Sequence, residues 1–472
     1  MNLKFVDIYM KKILNITFAI YLCSWFIAAP AKGQLASLDS VLQRIITEFD
    51  VRPIDSKEFY ISEKFKLGQA LFYDPLLSGN RDVSCSTCHL IDYGLGDGLS
   101  LSIGVGGEGK GADRVSVAGR ELHPRNSMDL WNRDHNDVSS MFWDGRISVA
   151  DRSSSVKFRS QLGDKLPSGL ENLMAAQSIF PLITPDEMTG YPGDISASSG
   201  LPFHDQKPNE LAEAYRETGV PILHSEAIFD AIMARLLEPN PQAENNSWRS
   251  KYLELFKNAY PSADHFGISH VGNAIAHFIE VAFASRRSGW DSYLTGERQA
   301  ITNEAKEGAI LFFGKGRCAV CHSGETFSDY QFHSIGVLDD DRRISEDQRD
   351  VGRYAVTGRS QDLFKFRTPP LRNVTRTSPY FHNGTIVSLF DAVQHHVNPL
   401  RNVNRYHESG RFLLTRDQAD AVSPLVANGL DLDQREIERI VAFLEALSNT
   451  PTESELGLIV PAEVPSGLEF LY

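Results

Sequence analysis

The sequence predicts a mainly α-helical protein built from two similar domains with few short strands. Three observations carry that expectation. The stretches "KLGQALFYDPLLSGNRDVSCSTCH" and "KEGAILFFGKGRCAVCH" share one pattern: Gly-x-x-Leu-Phe, a turn containing Gly, then CxxCH. Helical apolar spacing runs through both prefixes and through "SHVGNAIAHFIEVAFAS", and it recurs at Ile437, Ile440, Val441, Leu444 and Leu447 behind an Asp433/Glu436 capping pair. Alternating strand patterns are scarce.

Taken in order, the chain opens with a basic Met10-Lys11-Lys12 stretch, the apolar run "ILNITFAIYLCSWFIAAPA" and small residues at Ala29-Pro30-Ala31. This reads as a secretory signal peptide over residues 1–31, with an uncleaved anchor as the alternative because the run nears spanning length. A first domain is expected over 32–285, interrupted by a Gly/Ser/Pro-rich insertion beginning at Gly190 and reaching to about 225. "RRSGWDSYLTGERQA" reads as the linker to a second domain over 286–450, followed by an irregular tail over 451–472. A length of 472 residues accommodates two or three domains. The net charge of −14 argues against nucleic acid and anionic membrane as partners and permits a basic docking protein.

Cysteine use points to the chemistry. Of five cysteines, Cys23 lies in the signal segment, and Cys85, Cys88, Cys318 and Cys321 all fall in CxxCH motifs. A CxxC can be a redox pair, half of a zinc site or, with His directly after it, a c-type haem attachment. Zinc needs four clustered ligands, whereas these pairs lie far apart and each has its own His. No βαβ context suggests a thioredoxin-like pair, and no cysteine is spare for the disulfides common in exported proteins. Two covalent c-type haems follow, with thioethers at the four cysteines and His89 and His322 as proximal iron ligands.

Between Leu67 and Leu447 the stretches "LGQALFYDPLLS", "SCSTCH", "FWDGR", "PDEM", "SGWDSYLTG", "GRCAVCHSGETFSD", "FKFRTPPLRNVTRTSPYFHNGT" and "FLEAL" occur in this order. In these the chain resembles the bacterial di-haem cytochrome c peroxidase family, which includes the MauG-type enzymes. The resemblance implies two mostly helical, cytochrome-c-like haem domains. The N-terminal haem would react with hydrogen peroxide and the C-terminal haem would relay electrons from a small redox protein, such as a c-type cytochrome or a cupredoxin. It implies Glu187 as the acid–base group above the first iron, with Gln177 and Pro181 nearby, and Trp143 as the indole between the haems. A carboxylate there can take a proton from one peroxide oxygen and return it to the other. Calcium is implied at Asn132, Thr377 and Pro379, oxygen donors suited to a hard cation. A homodimer is compatible with the resemblance.

Two departures matter. Where many family peroxidases carry a His that caps the peroxidatic iron, this chain reads "SIGVG", with Val105 in that place. Valine cannot bind iron, so an open first iron is expected. The following loop looks Gly-rich and mobile, and its single histidine, His123, reads as a surface residue. The second departure concerns the relay iron, whose distal ligand is often Met in the peroxidases and Tyr in MauG-type enzymes. Here "LFDAVQHHVNP" puts His396 at that position, with His395 beside it. The expected function is a peroxidase; a MauG-like oxidase of protein residues and a non-catalytic electron carrier are the alternatives.

Overall fold

The computed structural model describes residues 37–55, 59–116, 120, 122–150, 154, 156–195, 208–238, 247–284, 287–337, 339–340, 349–400, 412–413, 416–449 and 451–472. The signal segment expected at 1–31 lies outside them. The fold is mainly helical with few short strands, as expected. Among the described residues, helices of seven residues or more are α1 Leu38–Glu48, α2 Glu63–Tyr73, α3 Ser225–Leu237, α4 Ser247–Ala259, α5 Ile268–Ala282, α6 Asn303–Phe313, α7 Leu389–Val397, α8 Gln434–Ala446 and α9 Glu453–Ile459. No helix among the described residues is long and apolar enough to cross a membrane.

The sequence repeat becomes a repeated helix crossing. α2 lies against α5, and α6 lies against α8. At Gly68 an added Cβ would stand 2.0 Å from the Ala274 carbonyl oxygen and 2.7 Å from the Phe278 Cβ. At Gly308 it would stand 1.8 Å from the Arg439 carbonyl oxygen and 3.0 Å from the Phe443 Cβ. One turn further on, Phe72 meets Phe278 with ring centres 5.1 Å apart, and Phe312 meets Phe443 at 5.2 Å. Residues four apart share a helix face, so each Gly-x-x-x-Phe row seats one backbone contact and one ring contact on the same partner. The phenylalanine of each repeat therefore serves the helix crossing.

Each crossing anchors its own core. The first gathers Phe65, Leu71, Phe72, Ile232, Phe256 and Phe278; the second gathers Trp290, Phe312, Phe327, Ile440 and Phe443. The segment expected as a linker belongs to the second core. Trp290 and Tyr293 are fully buried, and Asp291 takes two hydrogen bonds from the equally buried Arg372 at 2.8 and 2.9 Å. Its Gly and Ser residues cap a helix, Gly289–Leu294, which is why they resemble a linker in sequence.

The chain ends cross over. α1 packs on α6, with Leu42 inside the second core. The expected irregular tail instead holds α9 and returns to the first domain. Ser466 bonds the buried Asp74 through Oγ at 2.6 Å and its backbone N–H at 3.1 Å, and Phe470 meets Tyr73 at 5.4 Å. The expected insertion at 190–225 is ordered in its second half: Asn209 is fully buried, caps helix Glu210–Glu213, and donates to Asn80 and the Thr189 carbonyl. Residues 196–207 of that expectation lie outside the described residues.

Strands are pairs of two or three residues. The useful one is the antiparallel sheet Ser140–Met141, Ile147–Val149, Phe158–Arg159, whose first turn is the "FWDGR" segment. Its tip enters the second domain. Arg353 donates to the Asp144 and Gly145 carbonyls at 2.8 and 2.7 Å, and the Arg367 N–H donates to the Trp143 carbonyl at 2.8 Å.

Gly308→Ala tests the crossing. Alanine gains about 1 kcal/mol of helix propensity, but overpacking against a backbone carbonyl costs about 3 kcal/mol or more. Urea unfolding should show a net loss of about 2 kcal/mol. Gly457→Ala in α9, where nothing lies within 4 Å of the added Cβ, should be neutral or stabilising. Equal effects of the two substitutions would show that the close approach is not limiting.

Candidate active site

The two CxxCH motifs are built alike around their histidines. Cys85–Cys88 forms one helical turn capped by Ser84, whose N–H bonds Thr87 Oγ1 at 3.0 Å. His89 then donates Nδ1–H to the Leu95 carbonyl at 2.8 Å. In the second motif, a short turn over Cys318–Val320 leads to His322, which donates Nδ1–H to the Phe327 carbonyl at 3.1 Å. Leu95 and Phe327 both sit at positive φ, 70° and 59°. Large residues rarely adopt that conformation, and here it turns the carbonyl onto the ring. With Nδ1 engaged, Nε2 of each imidazole is left as a lone pair for iron. Burial lowers the pKa of both rings, His322 to about 4, so the neutral, ligating form prevails. The four thiols are free and partly buried. This donor set fits covalent haem at both motifs.

The opposite faces differ. His396, on α7, has its ring centre 6.3 Å from that of His322. Two imidazoles bound to one metal at about 2.0 Å have ring centres roughly 6 Å apart. His396 Nδ1 bonds the Ala392 carbonyl at 2.8 Å, which leaves Nε2 free, whereas His395 spends Nε2 on the Ile335 carbonyl at 2.7 Å. Neighbouring residues on a helix point about 100° apart, and only one of the two rings can face His322.

His89 has no such imidazole partner among the described residues. Glu187 instead acts on the first motif, and its charge reaches Cys85, Cys88 and His89. It lies in a single π-helical turn, Pro185–Thr189, a wide turn often found at functional sites. Gln177 ends helix Leu173–Ser178, and Pro181 opens the turn Pro181–Ile183 that joins it to the π turn. Val105 is buried, and its N–H bonds the Asp186 carbonyl at 3.3 Å. The loop around Val105 is pinned where the sequence suggested mobility. The buried Arg114 donates to the Ile103, Gly104 and Gly109 carbonyls at 2.7, 2.8 and 3.1 Å.

His123 also departs from expectation. It is no surface residue: Nε2 meets Glu187 Oε1 at 2.9 Å, and Nδ1 lies 3.0 Å from the Arg125 carbonyl. Burial alone would lower the His123 pKa, but the hydrogen bond and charge of Glu187 raise it to about 9. Burial alone would raise Glu187, but His123, then Arg146, hold it below the ordinary carboxylate range. Two residues on, Arg125 is buried between Asp350, at 2.6 Å, and Asp144, at 2.7 Å, and so ties this strand of chain to the second domain.

Trp143 sits at the domain junction, with Nε1 donating to the Asn126 carbonyl at 3.0 Å. Asn132 is buried at positive φ, 52°, and bonds the Phe283 carbonyl through its N–H at 3.2 Å. Its neighbour Trp131 donates to the Gly94 carbonyl at 3.1 Å, and Gly94 in turn abuts the Arg376 carbonyl beside Thr377. Thr377 and Pro379 flank a segment with a cis Ser378–Pro379 bond. Cys321, Asp329 and His333 also cluster among the described residues. Cys321 belongs to the second CxxCH motif, so the cluster is not read as a separate metal site.

Paired helix crossings, each presenting a CxxCH histidine with its Nε2 bare, define a c-type protein with two haems. A family model for di-haem cytochrome c peroxidase matches residues 62–299. The chain belongs to the di-haem cytochrome c peroxidase family, carries two c-type haems, and falls in the peroxidase class of oxidoreductases. It is 28% identical over 402 residues to the cytochrome c peroxidase Ccp of Escherichia coli, covering 85% of this chain and 62% of that protein. It is 26% identical to the methylamine utilization protein MauG of Methylorubrum extorquens, covering 92% of each. A solved MauG-like protein associated with microbial copper homeostasis shares the fold, with a TM-score of 0.56 at 23% identity over 88% of this chain and 97% of that one.

The His123–Glu187 pair gives stability a pH dependence. A raised imidazolium stabilises fully below its unfolded value of 6.5, and the effect is lost as pH climbs through about 9. A depressed carboxylate stabilises above its unfolded value of 4.5, and the effect is lost as pH falls below that. The stability difference between wild type and His123→Gln in urea titrations is therefore expected to be largest between pH 4.5 and 6.5 and to shrink toward pH 9. A difference that does not change with pH would show that the two groups are not paired.

Proposed function

We propose that the protein reduces hydrogen peroxide to water at its first haem, with electrons entering through the second haem from a small redox protein, a c-type cytochrome or a cupredoxin. The observation that carries this reading is the asymmetry of the two sites. His322 is faced by His396, while His89 is faced by no imidazole among the described residues and has Glu187 nearby. One iron is thereby suited to electron relay and the other to substrate. The haems, held by the two CxxCH motifs, supply redox-active iron.

The chain's own groups do the remaining work. Glu187 takes the proton from one peroxide oxygen and delivers it to the other, which leaves as water. With two electrons and two protons supplied, both oxygens end as water. Val105 fills the place of a capping ligand with an apolar side chain, so peroxide reaches the first site without a reductive opening step. Trp143, at the hairpin tip between the domains, is the electron path. Gln177 borders the peroxide site. His396 would hold the second iron together with His322. Asn132 with the carbonyls of Thr377 and Pro379 offers the neutral oxygen donors of a calcium site at the domain junction. The basic, apolar N-terminal segment supports export to the periplasm. A His at position 396, where the MauG-type pattern has Tyr, favours the peroxidase over the protein oxidase.

Glu187→Gln keeps the size of the side chain and loses its proton transfer. Peroxide turnover with a reduced small cytochrome should fall about a hundredfold or more. Wild-type turnover with both haems intact would refute the assignment.

Ferric EPR of the wild type should show one high-spin and one low-spin iron. His396→Ala should convert the low-spin signal to high spin, and His395→Ala should leave it in place. Conversion by His395→Ala alone would move the ligand assignment one residue back.

A further inference from the structure

His123 stands in the first domain beside the proposed peroxide site and has no role in the reading above. Its ring is held at both ends. The backbone N–H bonds the Ser102 carbonyl at 3.0 Å, Nδ1 lies 3.0 Å from the Arg125 carbonyl, and Nε2 lies 2.9 Å from Glu187 Oε1. The Arg125 N–H also lies 3.3 Å from Nδ1, the longer of the two contacts, and an Nδ1 proton is aimed at the carbonyl. Nε2 then either donates a proton to an ionised Glu187 or accepts one from a protonated Glu187. The pair shares one acidic proton and has two places to keep it.

We propose that His123 is the positioning residue that keeps Glu187 ionised and aimed, so that the pair, rather than the carboxylate alone, is the proton-handling unit of the peroxide site. This rests on the reading of Glu187 as the acid–base group. Among the described residues, Oε1 is the oxygen committed to His123, and the second oxygen is the one left to face a substrate proton. A peroxide proton taken by Glu187 is returned to the departing oxygen, and the imidazolium keeps the carboxylate from holding that proton at mildly acidic pH. The proton count is unchanged over the cycle.

The surrounding charges support the pairing. Asp186 on the same π turn and Asp97 beside the first motif add negative charge toward His123. Arg146 on the hairpin acts on Glu187. The Arg125 guanidinium is spent on Asp144 and Asp350, so it offers Glu187 no competing cation. Without His123 the largest opposition to burial at Glu187 is lost, which shifts the balance toward the protonated acid.

The test is cyanide binding to the ferric first haem of the holoprotein, followed by stopped-flow absorbance from about pH 5 to about pH 8. Hydrogen cyanide must surrender its proton to bind, so the rate reports the distal base without turnover. Wild type should bind at a nearly constant rate. His123→Gln should bind about tenfold more slowly near pH 5 and within about twofold of wild type near pH 8, as a base whose pKa has risen by a unit or more requires. Glu187→Gln should be slow at every pH. An unmoved acid limb in His123→Gln, with Glu187→Gln slow, overturns the role of His123 and leaves Glu187 standing. Wild-type binding by Glu187→Gln overturns the underlying reading. If His123→Gln fails to hold the first haem, His123→Asn replaces it. Loss of that haem in both would make His123 a structural residue and overturn the proposal.

Discussion

Two glycines set the distances on which everything else depends. Gly68 and Gly308 let one helix backbone rest directly on another, and any side chain at either position would collide with a carbonyl oxygen. The crossing fixes where α2 and α6 end, and each helix runs into the turn that carries the haem cysteines. A shift of the crossing would carry the proximal histidine with it. The carbonyl that orients each imidazole comes from a residue forced to positive φ, a conformation that costs of order 1–3 kcal/mol and persists only when its surroundings enforce it. At Phe327 the crossing supplies part of that enforcement, because Phe312 and Phe443 both pack against its ring.

The two modules then diverge in what they place opposite the histidine. In the second, α7 lays His396 across from His322. In the first, the chain between the motif and the hairpin brings Val105, His123 and Glu187 together, and Arg114 nails the loop to its own carbonyls. His123 and Arg125 are two residues apart yet serve different neighbours, one the proton site and the other the salt bridges to the second domain. The His123–Glu187 contact and the domain junction therefore share a single short strand of chain, and a displacement of the junction would be felt at Glu187.

The parts of this arrangement legible in the sequence are those where chemistry dictates residue type at fixed spacing. The CxxCH motifs, the repeated Gly-x-x-Leu-Phe prefix and the helical periodicity of α5 and α8 are local patterns. His396 could be placed only by register, because two adjacent histidines carry the same letters and differ only in direction around the helix. His123 was illegible. A lone histidine in a Gly-rich loop looks solvated, and its partner lies far along the chain. Trp290 and Asp291 looked like linker because Gly and Ser flank them, although a large aromatic beside a buried acid is a poor linker composition. The tail from 451 lacked periodicity over most of its length, and its burial comes from Ser466 and Phe470 reaching Asp74 and Tyr73, contacts no local pattern announces.

The closing of the tail over the first domain sets which distant parts of the chain must be docked together. Ser86, between the two cysteines of the first motif, donates its hydroxyl to the Leu471 carbonyl, a contact spanning 385 residues of sequence. The segment that covers the first motif thus lies far from it in sequence. While that segment is undocked, Ser86 lacks this partner and the turn that holds Cys85 and Cys88 loses one side of its cover. The second motif, whose crossing partner α8 follows it more closely, closes over a shorter stretch of chain. The first motif therefore depends on a clasp that reaches across most of the sequence, and the second on contacts nearer at hand.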